Sequence, residues 1–363
     1  MNHLKEIVTM SKPDYNSEPL FFGKNGIGPQ RYDQYKDKKI FQCYKNMLGF
    51  FWRPEEVSLG NTERNTFANL LPAEKDIYTK NLKFQILLDS VQSRGIPYLM
   101  KYCTNTEMEA SMQWWMAFEQ LHSYSYSYII SDVYTDPSKV FDSIYDDPEI
   151  VDRATSVTKQ YNDLLDELPE DTEYDKKKKF YLAWVSVNIL EGIRFYVSFA
   201  CNYAFAETGK MIGTASIISL INRDENLHLG LTQHVLKLFK SDETEGFVQI
   251  AKDCEEIVIQ MFSDAADEEI KWAKYLFEES SMIGLNAEIL AEYMKHLTNK
   301  RMKTLGLGQL FPTVKKNPLP WMSSWTDSGA VQLAPQEMSV ESYKIGAYKN
   351  NVADVDWSDK YSV

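Results

Sequence analysis

Two Glu-x-x-His quartets, Glu119/His122 and Glu225/His228, are the residues of this 363-residue chain best suited to chemistry. Residues three apart on a helix share a face one turn apart, so each quartet aims a carboxylate and an imidazole at one point. A lone acid in an apolar stretch precedes each quartet: Asp89 lies 30 residues before Glu119, and Glu191 lies 34 before Glu225. Either interval suits one long helix plus a turn, so the chain repeats an acid helix followed by a Glu-x-x-His helix. Four such helices in a bundle present four carboxylates and two imidazoles to a central pocket, the donor set of a carboxylate-bridged metal pair. This hard, oxygen-rich set suits iron or manganese better than a structural zinc, which favours nitrogen and sulfur in a tetrahedron. The expectation is two iron ions per chain, with manganese the alternative that the same donors accept.

The lone acids weigh most. Glu191 sits in YLAWVSVNILEGIRFYVSFACNYAFAE, where a bare carboxylate is costly unless paired, protonated or coordinated. Arg194, one turn on, is the competing structural partner. Tyr126 lies four residues after His122 and seven after Glu119, on the same face. Phe195 and Phe199, four and eight after Glu191, and Ile221, four before Glu225, are placed to wall its phenol. A dry, enclosed phenol beside an oxygen-activating metal pair suits a persistent tyrosyl radical, because water and small reductants are kept out. Asp224, four residues before His228, is placed to accept an imidazole N–H and fix the ring.

The elements that position these side chains are nearly all helical. The chain reads as irregular to about residue 60, with Gly23, Gly26, Gly28 and Pro29, then as helical to about residue 305. Asp89 falls on a helix over about 73–93 with a stripe of Leu82, Ile86, Leu87 and Leu88, and Gly95-Ile96-Pro97 is its stop signal. The next helix starts near Asn105 or Thr106, with Glu107 and Glu109 at its positive end, and runs through Trp114, Trp115, Glu119 and His122. Ser123 to Tyr128 alternates with period two, a strand signal, but the helical pattern before it and the continuing donor face assign it to the helix. The expected fold is all-α, with one helical domain and an irregular N-terminal arm over 1–330 and a flexible tail over 331–363.

The net charge of −13 argues against nucleic-acid or anionic-membrane partners. Cys43, Cys103, Cys201 and Cys254 are scattered without C-x-x-C spacing, as in reduced cytosolic thiols. The N-terminus lacks the apolar core of a signal peptide. The apolar run around Glu191 could span a bilayer, but Asn188, Glu191 and Arg194 in its middle point to a buried central helix. Beyond about residue 330 the helical pattern gives way to polar and acidic residues with isolated aromatics. Such a tail suits folding on a partner, with Trp357 and Tyr361 as anchors.

The series FWRPEEV (51–57), NLKFQILLDS (81–90), AFEQLHSYSY (117–126), LEGIRFYVSFACNYAFAE (190–207), RDENLH (223–228), SMIGLN (281–286), NPLPW (317–321) and APQE (334–337) resembles the small, radical-generating subunit of class I ribonucleotide reductase. The resemblance implies a ferritin-like helical bundle with additional helices, a homodimer, and a di-iron centre on Asp89, Glu119, His122, Glu191, Glu225 and His228. It implies that dioxygen at this centre oxidises Tyr126 to a radical. It also implies a separate large catalytic subunit, docked through the C-terminal tail, that reduces ribonucleoside diphosphates. The implied radical route starts near His122 and passes Asp224, Trp52 and a tail tyrosine, Tyr343, with Tyr348 as the fallback. The implied location is the cytoplasm, the host's if the source is viral. Tyr124 stands where many relatives carry arginine, and Gln120 is also variable; neither is on the donor face. A di-iron oxygenase or desaturase on the same bundle is the main alternative, needing neither Tyr126 nor the tail; a ferritin-like storage protein is a further one.

Overall fold

The computed structural model describes residues 8–10, 12–166 and 168–326. The residues from 327 on, which hold Tyr343, Tyr348, Trp357, Tyr361 and the 330/331 boundary, lie outside the described residues. Among the described residues there is no β-strand, only two isolated bridges, Phe21 with Cys103 and Met282 with Leu285.

The N-terminal arm is less irregular than its sequence suggests. α1 covers Lys38–Gly49, started by Asp37, whose carboxylate accepts from the backbone of Lys39 and Ile40 and so satisfies two of the orphan N–H groups of the first turn. Only Ile40 and Met47 of this helix are buried, so its apolar stripe is too thin to read from the sequence. A short 3₁₀ turn at Pro54–Glu56 and α2, Gly60–Asn69, follow.

Four elements form the core bundle: α3, Pro72–Met100; α4, Thr106–Val133; the pair α7, Glu173–Ile189, and α8, Tyr196–Glu207; and α9, Ile212–Ser241. Between α3 and α4 in order, the chain turns through 101–105, and Asn105 caps α4 by accepting from the Met108 N–H at 3.0 Å. α5, Pro137–Asp142, and α6, Pro148–Leu165, lie between α4 and α7. The Ser/Tyr alternation stays helical: Ser125 and Ser127 donate their hydroxyls to the carbonyls of Leu121 and Ser123, four residues back.

α3 does not stop at Gly95-Ile96-Pro97 but continues to Met100. Pro97 removes one ladder bond; continued burial of Ile96 and Leu99, and the close seat of Gly95 on Tyr161 of α6, hold the helix together past it. The long apolar run is interrupted as well. Residues Leu190–Arg194 form a π turn between α7 and α8, the kind of widened turn that recurs at functional sites. Met211, at the N-cap of α9, has no side chain that can cap the helix. The buried Glu63 of α2 does so instead, accepting from the N–H groups of Gly213 at 3.3 Å and Thr214 at 2.7 Å.

The remaining helices buttress this bundle: α10, Val248–Asp253; α11, Glu255–Phe277; α12, Ala287–Thr304; and α13, Met322–Thr326. Arg301 of α12 donates Nε to the carbonyl of Gly192 at 3.0 Å, which braces the π turn from outside. No helix among the described residues is long and apolar enough to cross a membrane.

Candidate metal centre

α3 supplies Asp89, α4 supplies Glu119 and His122, the π turn supplies Glu191, and α9 supplies Glu225 and His228; all six are 0% exposed. Their donor atoms fall into two overlapping groups, Asp89–Glu119–His122–Glu225 and Glu119–Glu191–Glu225–His228, with the atoms of each within 4.8 Å of one another. Glu119 and Glu225 belong to both groups. Two neighbouring cation positions sharing two carboxylates is the geometry this overlap describes.

Local contacts aim each side chain. Glu119 Oε1 accepts from the indole N–H of Trp115 at 2.7 Å, one turn earlier on α4. Trp115 also stacks on the His228 ring, with centroids 5.2 Å apart. Glu191 Oε1 accepts from Gln92 Nε2 at 2.6 Å, and Gln92 Oε1 accepts in turn from the Tyr161 hydroxyl at 2.8 Å. Both imidazoles turn Nδ1 to the carboxylates: His122 Nδ1 stands 3.1 Å from Glu225 Oε1, and His228 Nδ1 stands 2.9 Å from Glu225 Oε2 and 3.2 Å from Glu119 Oε1.

So many acids in one dry space perturb one another. Burial, then repulsion by Glu119 and Glu225, pushes Asp89 well above the usual carboxylate range; burial, then Glu225 and Glu119, does the same to Glu191. Burial opposes charge on Glu225 too, but the attraction of His122 and its hydrogen bonds outweigh that and hold it below the usual range. Burial likewise works against charge on the imidazoles, yet Glu225 above all raises His122, and Glu119, Glu191 and Glu225 raise His228.

The donor set fits a pair of divalent cations. Both oxygens of Asp89, Oε2 of Glu119 and of Glu191, Oε1 of Glu225 and Nδ1 of His122 are buried without a hydrogen bond, an arrangement that is costly unless something cationic engages them. Two divalent ions carry the charge that four carboxylates balance. Oxygen donors with two imidazoles suit iron or manganese.

The other residues singled out in the sequence differ in their surroundings. Tyr126 is fully buried, and burial, then the nearby charge of Asp89, raises its phenol well above the ordinary tyrosine value. Phe195, Phe199 and Ile221 are fully buried as well, with Phe195 and Phe199 stacked at 5.6 Å. Counting four and eight residues from Glu191 assumes a regular helix; the π turn adds a residue, so their phase relative to Glu191 is shifted. Nor is the phenol's surround wholly apolar, because Gln85 Nε2 lies 3.2 Å from its oxygen. Arg194 does not pair with Glu191; it binds Glu268, at 2.5 Å, and Ser156. Asp224 accepts an imidazole N–H across the bundle, from His122 rather than from His228 on its own helix, with Oδ2 3.2 Å from His122 Nε2. The same oxygen accepts the Trp52 indole N–H at 2.7 Å. Arg223 anchors the segment before Trp52 by donating to the Phe50 carbonyl at 2.7 Å. Tyr124 is 48% exposed and bonds Glu55, away from the cluster.

Sequence reasoning missed Gln85, Gln92, Asn202 and Tyr161. The signal for the two glutamines was the spacing of Asn81, Gln85, Asp89 and Gln92, polar residues on one face of an otherwise apolar helix; Asn202 and Tyr161 lie on other helices and share no such spacing.

Residues 30–318 match the family model described as ribonucleotide reductase, small chain. The chain belongs to that family. A ribonucleoside-diphosphate reductase subunit beta of Buchnera aphidicola subsp. Baizongia pistaciae is 43% identical over 96% of this chain and 98% of its own length. The ribonucleoside-diphosphate reductase 1 subunit beta of Escherichia coli O157:H7 is 42% identical over 97% of this chain and 98% of its own. Among solved structures, a ribonucleotide reductase R2 subunit from Clostridium botulinum superposes with a TM-score of 0.81 at 31% identity, covering 90% of this chain and 99% of that one. This ribonucleotide reductase small chain thus has the all-α, ferritin-like fold and carries a carboxylate/histidine cluster suited to a dimetal centre.

Proposed function

We propose that this small chain generates and stores the radical of a class I ribonucleoside-diphosphate reductase. In this reading Asp89, Glu119, His122, Glu191, Glu225 and His228 would hold two iron ions, with Glu119 and Glu225 belonging to both donor groups. When bound, the iron pair supplies one-electron oxidation driven by dioxygen. Tyr126 is the group oxidised; its burial beside the cluster is the observation that carries the assignment, because an exposed phenoxyl would be quenched by water and small reductants.

Asp224 and Trp52 carry the outward half of the reading. The Asp224 carboxylate accepts from His122 and from the indole of Trp52, so one oxygen links the cluster to the loop after α1. A proton moving with the electron along this line stays within hydrogen-bond distance at each residue. The route continues through Tyr343 to a large catalytic subunit that binds residues 331–363 and reduces ribonucleotides to deoxyribonucleotides. The chain acts as a homodimer in the cytoplasm, the host's if its source is viral. Manganese fits the same donors. Family membership favours this reading over an oxygenase or desaturase on the same bundle.

Protein purified without metal and then given ferrous iron and oxygen is expected to show a tyrosyl paramagnetic resonance signal. Tyr126→Phe removes that signal and leaves the metal content at two ions per chain, by the donor set above. A tyrosyl signal that persists in this variant assigns the radical elsewhere.

A further inference from the structure

Gln85 sits on α3 one turn before Asp89 and is fully buried. Its Nε2 is 3.2 Å from the Tyr126 hydroxyl, and its Oε1 is 3.1 Å from Asn202 Nδ2 on α8. Oxygen and nitrogen of an amide are told apart only by their partners, and here the partners decide. Asn202 Nδ2 also points at the backbone carbonyl of Ser198, at 2.9 Å, and a carbonyl can only accept. Nδ2 is therefore a donor, the Gln85 atom facing it is the carbonyl oxygen, and the Gln85 NH₂ faces the phenol. The same logic repeats one turn earlier: Asn81 Nδ2 donates to the Ile77 carbonyl at 2.8 Å, so Asn81 Oδ1 accepts from the Ser198 hydroxyl at 2.7 Å. Two amides of α3 are thus held in one sense by α8.

We propose that Gln85 is a positioning residue for Tyr126, donating its amide N–H to the phenolic oxygen in an orientation that Asn202 fixes. The proposal rests on the reading that Tyr126 carries the radical. A phenol that accepts from Gln85 must direct its own O–H elsewhere. After oxidation, when that proton and one electron have left, the Gln85 bond to the oxygen persists. Gln85 neither gains nor loses an atom. A neutral, locked donor withdraws spin density from the phenoxyl oxygen without offering a proton acceptor.

The test compares the full-length wild-type protein with Gln85→Leu, using ferrous iron and oxygen to generate the signal. In wild type, samples in H₂O and D₂O are expected to show an exchangeable hyperfine coupling to the tyrosyl radical, with g1 lowered as for a hydrogen-bonded phenoxyl. Gln85→Leu loses the coupling and raises g1, while the radical yield per metal stays measurable. Asn202→Leu keeps the coupling but broadens g1, because the amide is no longer held in one sense. Absence of the coupling in wild type, or its survival in Gln85→Leu, overturns the proposal. Isotope-edited infrared spectra of the metal-free protein need no radical: the Tyr126 C–O stretch shifts in Gln85→Leu if the bond exists and stays put if it does not. A missing tyrosyl signal in wild type would count against the radical reading alone, and the infrared comparison would then decide the role of Gln85.

Discussion

Trp52 and Asp224, 172 positions apart, are joined by an indole N–H donated to Oδ2 at 2.7 Å, and that oxygen also faces His122. One carboxylate thereby does two things: it fixes the orientation of a proposed metal ligand, and it ties the ligand to a residue outside the cluster.

Asp224→Asn keeps the shape of this link and removes its charge. One face of the new amide can still accept, but it can no longer serve both N–H groups as well as a carboxylate does. Nucleotide reduction with the large subunit is expected to fall by about 10–100-fold, with the Tyr126 signal still forming. Trp52→Phe should leave metal content and radical unaltered and reduce turnover more strongly. Wild-type activity in both variants, measured alongside radical content, would remove the pair from the outward route.

The metal-free cluster should make the protein sensitive to pH in an unusual sense. Asp89, Glu191, His122 and His228 all have folded pKa values above their unfolded ones, so they bind protons more tightly when folded. Their stabilising contribution is full at low pH and is lost as pH rises through the folded values. Glu225 has the opposite sign, but its contribution is lost only below the ordinary carboxylate range. Metal-free protein should therefore lose stability as pH rises above the ordinary carboxylate range and on through the folded values. Metal binding needs the deprotonated donors, so over the same window it should tighten and release protons. Thermal denaturation and proton release on ferrous titration measure the two; a Tm of the metal-free protein that climbs with pH contradicts the assignment.

The convergence of six donors was legible because Asp89, Glu119, Glu191 and Glu225 are acids in apolar helices and helical spacing puts each histidine beside its own glutamate. What surrounds them was legible only in part. The partner of Asp224 is His122 on another helix, and no spacing along α9 reports a neighbour on α4. The π turn at Leu190–Arg194 carries no proline or glycine pair to announce a break, and Gly192 alone is tolerated in a regular helix. Gly95 and Pro97 gave a local stop that burial of Ile96 and Leu99 overrides. Gln85 and Gln92 read as single polar interruptions until α8 and α6 are laid against α3.

Gln92 is expected to matter to one cation position more than to the other. Its amide holds Glu191 Oε1 and leaves Oε2 for the cluster, while Glu191 belongs to only one of the two donor groups. Gln92→Leu frees the carboxylate to rotate and strands the Tyr161 hydroxyl. One of the two metal ions should bind about 10–100-fold more weakly, resolved as a biphasic ferrous titration. A single unaltered phase would mean that the π turn alone aims Glu191.

Gly95→Ala reaches the same carboxylate from further away. A Cβ built on Gly95 would lie 2.2 Å from Cζ and 2.5 Å from both Cε atoms of the Tyr161 ring, far inside contact distance, and the ring is the body of a buried side chain with little room to retreat. Overpacking of this kind costs about 1–3 kcal/mol, so the unfolding free energy should fall by that amount and the denaturant midpoint should move to lower concentration. The displaced ring carries its hydroxyl away from Gln92, so the weak-binding phase of Gln92→Leu should appear in milder form. Tyr161→Phe separates the effects, since it removes the hydroxyl without the clash and should reproduce the metal phenotype with less loss of stability. If Gly95→Ala destabilises the fold but both ions bind as in wild type, the Tyr161–Gln92–Glu191 chain is packing and does not tune the metal position.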